Sequence, residues 1–288
     1  MAIDKEKVKE LEQKAIQLRK DMYMNTMKIG YSHLGGGNSM LDVAVALYYD
    51  FLSFNPKDPA AQDRDRFVLS KGHCGHVLYN IFVDKGMYTK EELWSEYNQP
   101  GGRFGMHPNC HYIDGIEAST GSLGHGLSIA TGMAIAARNN NQSHRVLCLT
   151  GDGEMNEGSI WEALMAAGNF GLGNLTLIID YNKCSGSGPL EVVMDIEPLA
   201  DKLRAFKWDV LSMDGHNMTD ILETLYKLPP VDSQKKSTPV AIISNTIKGK
   251  TMLGGLEGTA MSHIGFINDM ETYEALCASV DNAGKEAQ

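Results

Sequence analysis

Cysteine, long apolar runs and positive charge are all scarce in this sequence, and each scarcity excludes a class of protein. The 288 residues include five cysteines, an odd number, and no Cys-x-x-Cys pair occurs among them. We therefore expect neither a disulfide framework nor a structural zinc site, and the expected compartment is a reducing cytoplasm. No apolar run reaches the roughly 18 residues that a membrane span requires, and the first residues lack the apolar core of a signal peptide. We expect a chain without a membrane segment.

The charge balance argues against nucleic acid and anionic membranes as partners. Lys and Arg number 26 against 36 Asp and Glu, which gives a net charge of −10. A surface of this sign repels phosphate backbones and anionic lipids. Hydrophobic residues make up 43% of the chain and charged residues 22%, which is typical of a soluble globular protein.

Short, mostly apolar runs alternate with helical patterns along the chain. The runs predict buried parallel strands over 67–69, 146–150, 175–181, 209–213 and 239–246. Apolar spacing predicts helices over 4–28, 39–52 (with Ser39 as N-cap), 122–138 and 159–170. This alternation predicts an α/β fold, a doubly wound and mostly parallel sheet flanked by helices. We expect residues 1–288 to form a single domain in which 281–288 are a flexible tail.

Acidic and amide side chains follow two of the predicted strands. Gly151-Asp152-Gly153 comes directly after the run at 146–150, and Asn182 follows the next run. Because ligands bind beyond the carboxyl ends of parallel strands, we expect Asp152 and Asn182 to face each other there. The flanking glycines allow backbone N–H groups to approach a phosphate, and Mg²⁺ accepts one or two carboxylates together with phosphate oxygens. A tight turn without a ligand is the alternative for Gly-Asp-Gly taken alone.

The order of these motifs resembles the N-terminal half of transketolase. Gly151-Asp152-Gly153 followed by Asn182 is similar to the thiamine diphosphate signature of thiamine-dependent enzymes. The further segments that carry the resemblance are Ser32-His33-Leu34-Gly35-Gly36, Phe67-Val68-Leu69-Ser70-Lys71-Gly72-His73, Met106-His107-Pro108, Ser119-Thr120-Gly121-Ser122-Leu123-Gly124-His125-Gly126, Gly151 to Gly158, and Lys248-Gly249-Lys250. They occur in the family's order.

The resemblance implies a site for thiamine diphosphate with Mg²⁺ or Ca²⁺. It implies that Asp152 and Asn182 bind the metal through their side chains and Cys184 through its backbone carbonyl. The cofactor-binding residues that it implies are His73, Gly121, Ser122, Leu123, Gly151, Asp152, Gly153, Glu154, Asn182 and His263.

Four histidines are given a catalytic role by the same resemblance. His73 and His263 would reach the diphosphate and the reacting end, and His33 and His107 would hold the hydroxyls of the ketose donor. Histidine suits such work because it titrates near the working pH. The alternative for each is a hydrogen-bonded structural histidine. We take His76, His111 and His144 as surface or core residues, and expect His216 to shape a turn at a strand end. His125 stands where the family usually has glutamine, and its role stays open.

The resemblance also implies a second chain. Glu157 and Glu162 are similar to acidic residues that link two cofactor sites across the family's subunit interface; the alternative is that they are carboxylates favoured by a helix N-terminus. The glutamate that activates the cofactor, and most residues that bind the sugar phosphate, belong in the family to the half that this sequence lacks. We therefore expect the N-terminal subunit of a split transketolase, inactive alone. The expected assembly is an α2β2 heterotetramer with a separate C-terminal subunit that carries the pyrimidine-binding and C-terminal domains.

Several departures from the family pattern concern the substrate. Ser32 and Leu34 flank His33 where glycine and proline are usual, Met106 replaces a glycine, and Ile264 follows His263. One hypothesis is a modified ketose donor such as 6-deoxy-6-sulfofructose; the other is sequence drift without functional meaning. Two further classes stay open. One is half of another thiamine diphosphate enzyme, similar to deoxyxylulose phosphate synthase or to the α chain of a 2-oxoacid dehydrogenase, and the other is a non-catalytic binding relic.

Overall fold

A five-stranded parallel sheet forms the centre of the molecule, as the sequence predicts. The computed structural model describes residues 3–232 and 236–286. Its strands are β1 (Tyr31–Ser32), β2 (Arg66–Leu69), β3 (Val146–Gly151), β4 (Leu175–Tyr181), β5 (Asp209–Asp214), β6 (Val240–Asn245) and β7 (Gly265–Phe266). The sheet has the order β2-β3-β4-β6-β5 with every neighbouring pair parallel, and β1 pairs with β7 in a separate antiparallel ribbon. The five predicted strands differ from the observed ones by at most one residue at either end.

Helices cover both faces of this sheet. They are α1 (Lys5–Ile29), α2 (Leu34–Ala46, continued by a π-helical turn at Leu47–Phe51), α3 (Gly75–Asp84), α4 (Lys90–Glu96), α5 (His125–Asn139), α6 (Gly158–Phe170), α7 (Leu190–Val193), α8 (Leu199–Ala205), α9 (Met218–Tyr226) and α10 (Met270–Glu286). Within the described ranges, no helix is both long and apolar enough to cross a membrane.

Apolar side chains alternate between the two faces of the sheet, and each face has its own hydrophobic core. Leu69 and Leu149 face the layer of α1, α2, α3 and α9, whereas Val68 and Cys148 face the layer of α5, α6 and α8. A strand buried on both faces needs apolar residues at successive positions, which is why the strands read as continuous apolar runs. The doubly wound α/β prediction is confirmed.

Two predicted boundaries differ from the structure. The sequence predicts that Ser39 caps a helix over 39–52, but α2 begins at Leu34, and Ser39 lies inside it. The Ser39 hydroxyl instead donates to the Gly36 carbonyl at 3.0 Å and to the Asp180 carboxylate at 2.5 Å. The cap prediction is wrong because Ser39 lies inside α2, where its hydroxyl links the helix to Asp180 of the sheet instead of capping a helix N-terminus.

The second difference is at the expected tail, 281–288. Helix α10 continues as far as Glu286, because Asp281 accepts a hydrogen bond from Lys20 at 2.6 Å and Gly284 lies against Ile16 of α1. These contacts join residues 281–286 to the first helix, and the flexibility of 281–288 stays a prediction. Residues 287 and 288 lie outside the described residues.

Candidate functional site

Four histidines meet beyond the carboxyl ends of the central strands. His33 directly precedes α2, His73 lies in a short 3-10 turn after β2, and His107 and His263 lie in loops. The centroid of the His33 ring is 5.3 Å from that of His73, 5.0 Å from that of His263 and 6.5 Å from that of His107. The structure thus brings together the four histidines for which the sequence predicts a catalytic role.

Burial keeps three of these rings neutral. It lowers the pKa of His33 and of His263 to about 4, and the positive charge of Lys248 adds to this effect in both cases. The pKa of His73 lies well below its usual value, chiefly because the ring is buried. Near neutral pH each ring therefore offers one N–H donor and one lone pair, which suits hydrogen bonds to sugar hydroxyls and the acceptance of a proton.

Two of the rings carry a buried nitrogen that lacks a partner. Among the described residues, no donor or acceptor reaches Nδ1 of His33 or Nδ1 of His263. Leaving a buried polar atom unsatisfied costs about 1–3 kcal/mol, so such atoms usually mark the place of a ligand or an ordered water. The histidine cluster therefore fits a bound molecule that carries several polar groups.

Glycines at the start of α2 allow the helix to approach this cluster closely. A Cβ atom on Gly35 would lie 2.5 Å from the Ser262 carbonyl oxygen. One on Gly36 would lie 2.8 Å from Cys74 Sγ and 3.2 Å from His73 Nε2. No side chain fits at these distances, so packing around the site requires glycine at positions 35 and 36.

The predicted metal-binding carboxylate is buried beside the cluster. Asp152 is 2% exposed; its Oδ1 accepts the Gly153 N–H at 2.7 Å and its Oδ2 accepts the Lys183 N–H. Burial, together with the charge of Asp180, raises the pKa of Asp152 to about 6. A bound cation would stabilise the ionised form of a carboxylate that is buried in this way. The position therefore suits a divalent metal.

The two other predicted metal-binding groups lie on the next loop. The Asn182 side-chain oxygen accepts the Cys184 N–H at 3.1 Å, and the Cys184 carbonyl accepts Lys248 Nζ at 3.0 Å. Within the described residues, no three His, Cys, Asp or Glu side chains converge as a metal site. The predicted set contains one carboxylate, one amide and one carbonyl, and it fits a hard cation that keeps water and takes oxygens from a bound diphosphate.

These groups line a cleft of about 120 Å³ between the ends of β2, β3, β4 and β6. The predicted cofactor-binding residues that line it are His73, Leu123, Gly151, Asp152, Gly153, Glu154, Asn182 and His263. Gly121 does not line the cleft and lies against the His107 ring, where a Cβ atom would be 3.0 Å from the ring carbons. Ser122 is exposed and does not line the cleft.

Glu154 uses its carboxylate inside the protein. It accepts hydrogen bonds from the Ser70 hydroxyl, the Gly124 N–H at 2.8 Å and the Gly151 N–H at 3.1 Å. The side chain therefore ties the end of β2 and the start of α5 to the end of β3. The backbone of Glu154 is the part that remains for contact with a cofactor.

The sequence motifs did not reveal the buried ion pair of Lys71 and Asp180. Asp180, near the end of β4, accepts hydrogen bonds from Lys71 Nζ, Ser39 Oγ, Thr246 Oγ1 and Asn182 Nδ2. Burial disfavours charge on both partners, but their mutual attraction outweighs it, raising the pKa of Lys71 and lowering that of Asp180. The sequence signal that could have indicated this pair is the position of a lysine and an aspartate at the carboxyl ends of predicted strands.

A second lysine, Lys248, also belongs to the site although no role was predicted for it. Its ammonium lines the cleft and donates to the carbonyls of Cys184 and Ser185, both at 3.0 Å. Burial lowers its pKa. The Lys248-Gly249-Lys250 segment follows β6, so its position after a strand was again the signal.

The remaining acidic and histidine residues lie outside the cleft. Glu157 and Glu162 are exposed near the start of α6, and the Glu157 side chain makes no capping hydrogen bond. His111 and His125 are exposed, and His76 and His144 are buried.

Comparison with known proteins gives the family of this arrangement. Residues 12–274 match the family described as transketolase, thiamine diphosphate binding domain. An apulose-4-phosphate transketolase subunit from Phocaeicola vulgatus is 40% identical over 267 residues, which cover 93% of this chain and 92% of the relative. The 6-deoxy-6-sulfo-D-fructose transketolase subunit SqwG from Clostridium sp. (strain MSTE9) is 38% identical over 275 residues, with 96% and 98% coverage.

Full-length transketolases match over less than half of their length. The human enzyme is 32% identical over 252 residues, which cover 87% of this chain and 39% of that protein. The solved structure of transketolase from Campylobacter jejuni superposes with a TM-score of 0.80 at 26% identity and covers 100% of this chain and 48% of that one. The structure of the Leishmania mexicana enzyme gives a TM-score of 0.82 at 24% identity, with 96% and 45% coverage.

Proposed function

This chain belongs to the transketolase family as its thiamine diphosphate-binding domain, and on this premise we propose that it is the N-terminal subunit of a two-chain, cytoplasmic transketolase. The reaction would move a two-carbon ketol unit from a ketose to an aldose phosphate. Thiamine diphosphate supplies the carbanion chemistry for breaking and forming the carbon–carbon bond. The observation that carries the proposal is the meeting of four histidines at a cleft that also contains Asp152 and Asn182.

The histidines would handle the hydroxyl groups and protons of the sugar. His107 is exposed and His33 is buried, with their ring centroids 6.5 Å apart, and this pair would hold the donor hydroxyls. His73 and His263 line the cleft and would act at the diphosphate and the reacting end. A neutral imidazole offers one donor nitrogen and one acceptor nitrogen, whereas a protonated ring can only donate.

The metal site would hold Mg²⁺ or Ca²⁺. Asp152 would contribute its carboxylate, Asn182 its amide oxygen and Cys184 its carbonyl. The buried carboxylate of Asp152, whose pKa is raised by burial and by the charge of Asp180, supports this assignment. The N–H of Gly153 would contact the diphosphate, since this glycine is in the cleft where the backbone can approach closely.

The substrate's far end requires a second chain. The cations that line the described part of the cleft are Lys71 and Lys248. Lys71 is paired with Asp180, and Lys248 lies beside the proposed metal-binding carbonyl of Cys184, so both would serve the cofactor end of the cleft. A distal phosphate or sulfonate would therefore be bound by the separate C-terminal subunit, which we expect to carry the pyrimidine-binding and C-terminal domains in an α2β2 assembly. Glu157 and Glu162 would face that interface.

We propose a modified ketose as donor, with 6-deoxy-6-sulfofructose as the first candidate. Of the departures from the family pattern, Ser32 and Leu34 are fully buried, and Ser32 Oγ lies 2.7 Å from Thr26 Oγ1, so both serve packing. Met106 and Ile264 are partly or largely accessible next to His107 and His263, and they are the departures that can contact a sugar. The names of two relatives, an apulose-4-phosphate and a sulfofructose transketolase subunit, support a donor outside the common sugar phosphates.

Co-expression with a separately encoded C-terminal subunit tests the proposal. The donor panel is xylulose 5-phosphate, fructose 6-phosphate, 6-deoxy-6-sulfofructose and apulose 4-phosphate, each assayed with and without thiamine diphosphate and Mg²⁺. We expect ketol transfer by the pair only. Turnover by the purified single chain would contradict the two-chain proposal, and decarboxylation of a 2-oxoacid would reassign the reaction. Failure of the assembled pair to bind the cofactor would indicate a non-catalytic relic that keeps the fold but not the cofactor.

A further inference from the structure

His216 lies at the end of β5, away from the cleft, with both ring nitrogens committed. Its Nδ1 is 2.7 Å from Asp42 Oδ2, and its Nε2 accepts the Ile247 backbone N–H at 3.0 Å. A backbone N–H can only donate, so Nε2 must be the unprotonated nitrogen. The proton is therefore on Nδ1, which donates to Asp42.

Asp42 is itself held in place. Arg19 Nη2 donates to Asp42 Oδ2 at 3.0 Å and to the Asn38 carbonyl at 3.1 Å, and both charged side chains are almost fully buried. Burial opposes the charge of Asp42, but Arg19 and His216 outweigh it and lower the pKa of Asp42 to about 2. Asp42 is thus a fixed, charged acceptor that sets the orientation of the His216 ring.

The far end of this series of contacts is the backbone N–H of Ile247, the residue before Lys248. The His216 ring binds the N–H of Ile247, and the next side chain along the backbone is the cleft lysine. On its other side the segment is held by the Gly249 N–H, which donates to the Gly35 carbonyl at 2.9 Å. The backbone carrying Lys248 is therefore fixed from both sides.

We propose that His216 is a positioning residue for Lys248: the series Arg19, Asp42, His216 and Ile247 N–H fixes the backbone from which the Lys248 ammonium reaches the cleft. The proposal rests on the proposed function, because it takes the anionic end of thiamine diphosphate as the group that Lys248 faces. A residue that only shaped the turn after β5 would affect stability without affecting this ammonium.

Two polar substitutions separate the two hydrogen bonds of the ring. In His216→Asn the amide stands near the place of Nδ1 and keeps the Asp42 contact, but it does not reach Ile247. In His216→Gln the amide reaches the place of Nε2 and can accept the Ile247 N–H. The dissociation constant of thiamine diphosphate, measured by calorimetry with Mg²⁺ on the assembled pair, should rise up to about tenfold in His216→Asn and stay near the wild-type value in His216→Gln.

A double-mutant cycle with Lys248→Met shows whether the effect passes through the lysine. If it does, His216→Asn adds nothing to Lys248→Met, because the lysine that it positions is gone. Asn174→Ala is the matched control: it removes a buried hydrogen bond to the Ala134 carbonyl in the opposite layer and should lower the melting temperature without changing cofactor affinity.

Each other outcome overturns the inference. Equal affinities of His216→Asn and the wild type, equal losses in the Asn and Gln variants, additive effects of His216→Asn and Lys248→Met, or normal binding by Lys248→Met would remove the positioning role. The proposed function would survive any of these, since ketol transfer by the wild-type pair measures it separately. A wild-type pair that binds no cofactor would remove both.

Discussion

Asp180 shows how much of the site depends on one buried residue. Its carboxylate joins the ends of β2, β4 and β6 to α2 through four donors, and it holds the amide of Asn182 at 3.2 Å. A buried charge that loses its partner is far more costly than a buried pair that is absent altogether.

Replacing Asp180 with asparagine should therefore destabilise the chain because it leaves the Lys71 ammonium buried without a counter-charge. We expect a loss of about 3–5 kcal/mol in the free energy of unfolding, measured by urea denaturation. The double variant Asp180→Asn, Lys71→Met should recover a substantial part of this loss. If the double variant is as unstable as the single one, the ion pair is not the source of the effect.

The stability of the chain should also depend on pH through Asp42. Its folded pKa of about 2 lies below its ordinary value of 3.8, so its stabilising contribution is present above pH 4 and is lost as the pH falls toward 2. Between about pH 5 and pH 3 the wild type should lose about 1 kcal/mol more than Asp42→Asn, which lacks the titrating group. Urea denaturation at both pH values measures this difference, and parallel losses in the two proteins would contradict it.

At the scale of elements, the strands could be predicted and the start of α2 could not. Apolar runs indicate strands directly, since a strand buried on both faces has apolar residues at successive positions. The glycines at 35 and 36 lie in α2 because neighbouring segments leave no room for a side chain, and this is a tertiary requirement that local sequence does not express.

The candidate site divides in the same way. The histidines lie in recognisable motifs, and the structure brings them together. The Lys71–Asp180 pair depends on the order β2-β3-β4, and the role of Lys248 depends on the pairing of β4 with β6 instead of with β5, the next strand along the chain. Such adjacency is a property of topology, so the sequence contains the residues without showing that they meet.

The close approach of α2 to the histidines can be tested with Gly36→Ala. The added methyl group would meet Cys74 Sγ and His73 Nε2, so we expect a loss of about 1–3 kcal/mol in stability and weaker cofactor binding. Gly132→Ala in α5 is the matched control: apart from the local backbone of its own helix, no described atom lies within 4 Å of the added methyl, and the change should stabilise the chain by up to about 1 kcal/mol. Urea denaturation and cofactor titration of both variants test this prediction. Equal stabilities and equal cofactor affinities of the two variants would show that close packing at Gly36 is unimportant.

At the scale of the whole molecule, two segments that adjoin the cleft residues in sequence carry exposed apolar side chains. Met261 is 78% exposed two residues before His263, and Phe266 is 63% exposed. In the segment that follows the loop of Cys184, Met194 is 61% exposed and Val192 is 77% exposed. Large exposed apolar side chains near a functional site are typical of an interaction surface.

We therefore expect Met261→Lys to weaken assembly with the C-terminal subunit by about tenfold or more, because it places a charge in an interface that excludes water. Sedimentation or calorimetry of the two purified chains measures this. Phe170→Lys is the matched control: Phe170 is 42% exposed, but it ends α6, whose 13 residues carry it about 20 Å from the end of the helix nearest the site. Both variants should keep the melting temperature of the single chain, since both side chains are largely exposed. If Phe170→Lys disrupts the pair and Met261→Lys does not, the partner binds near the end of α6 that is distant from the site. Another part of the partner must then extend to the cleft to complete it.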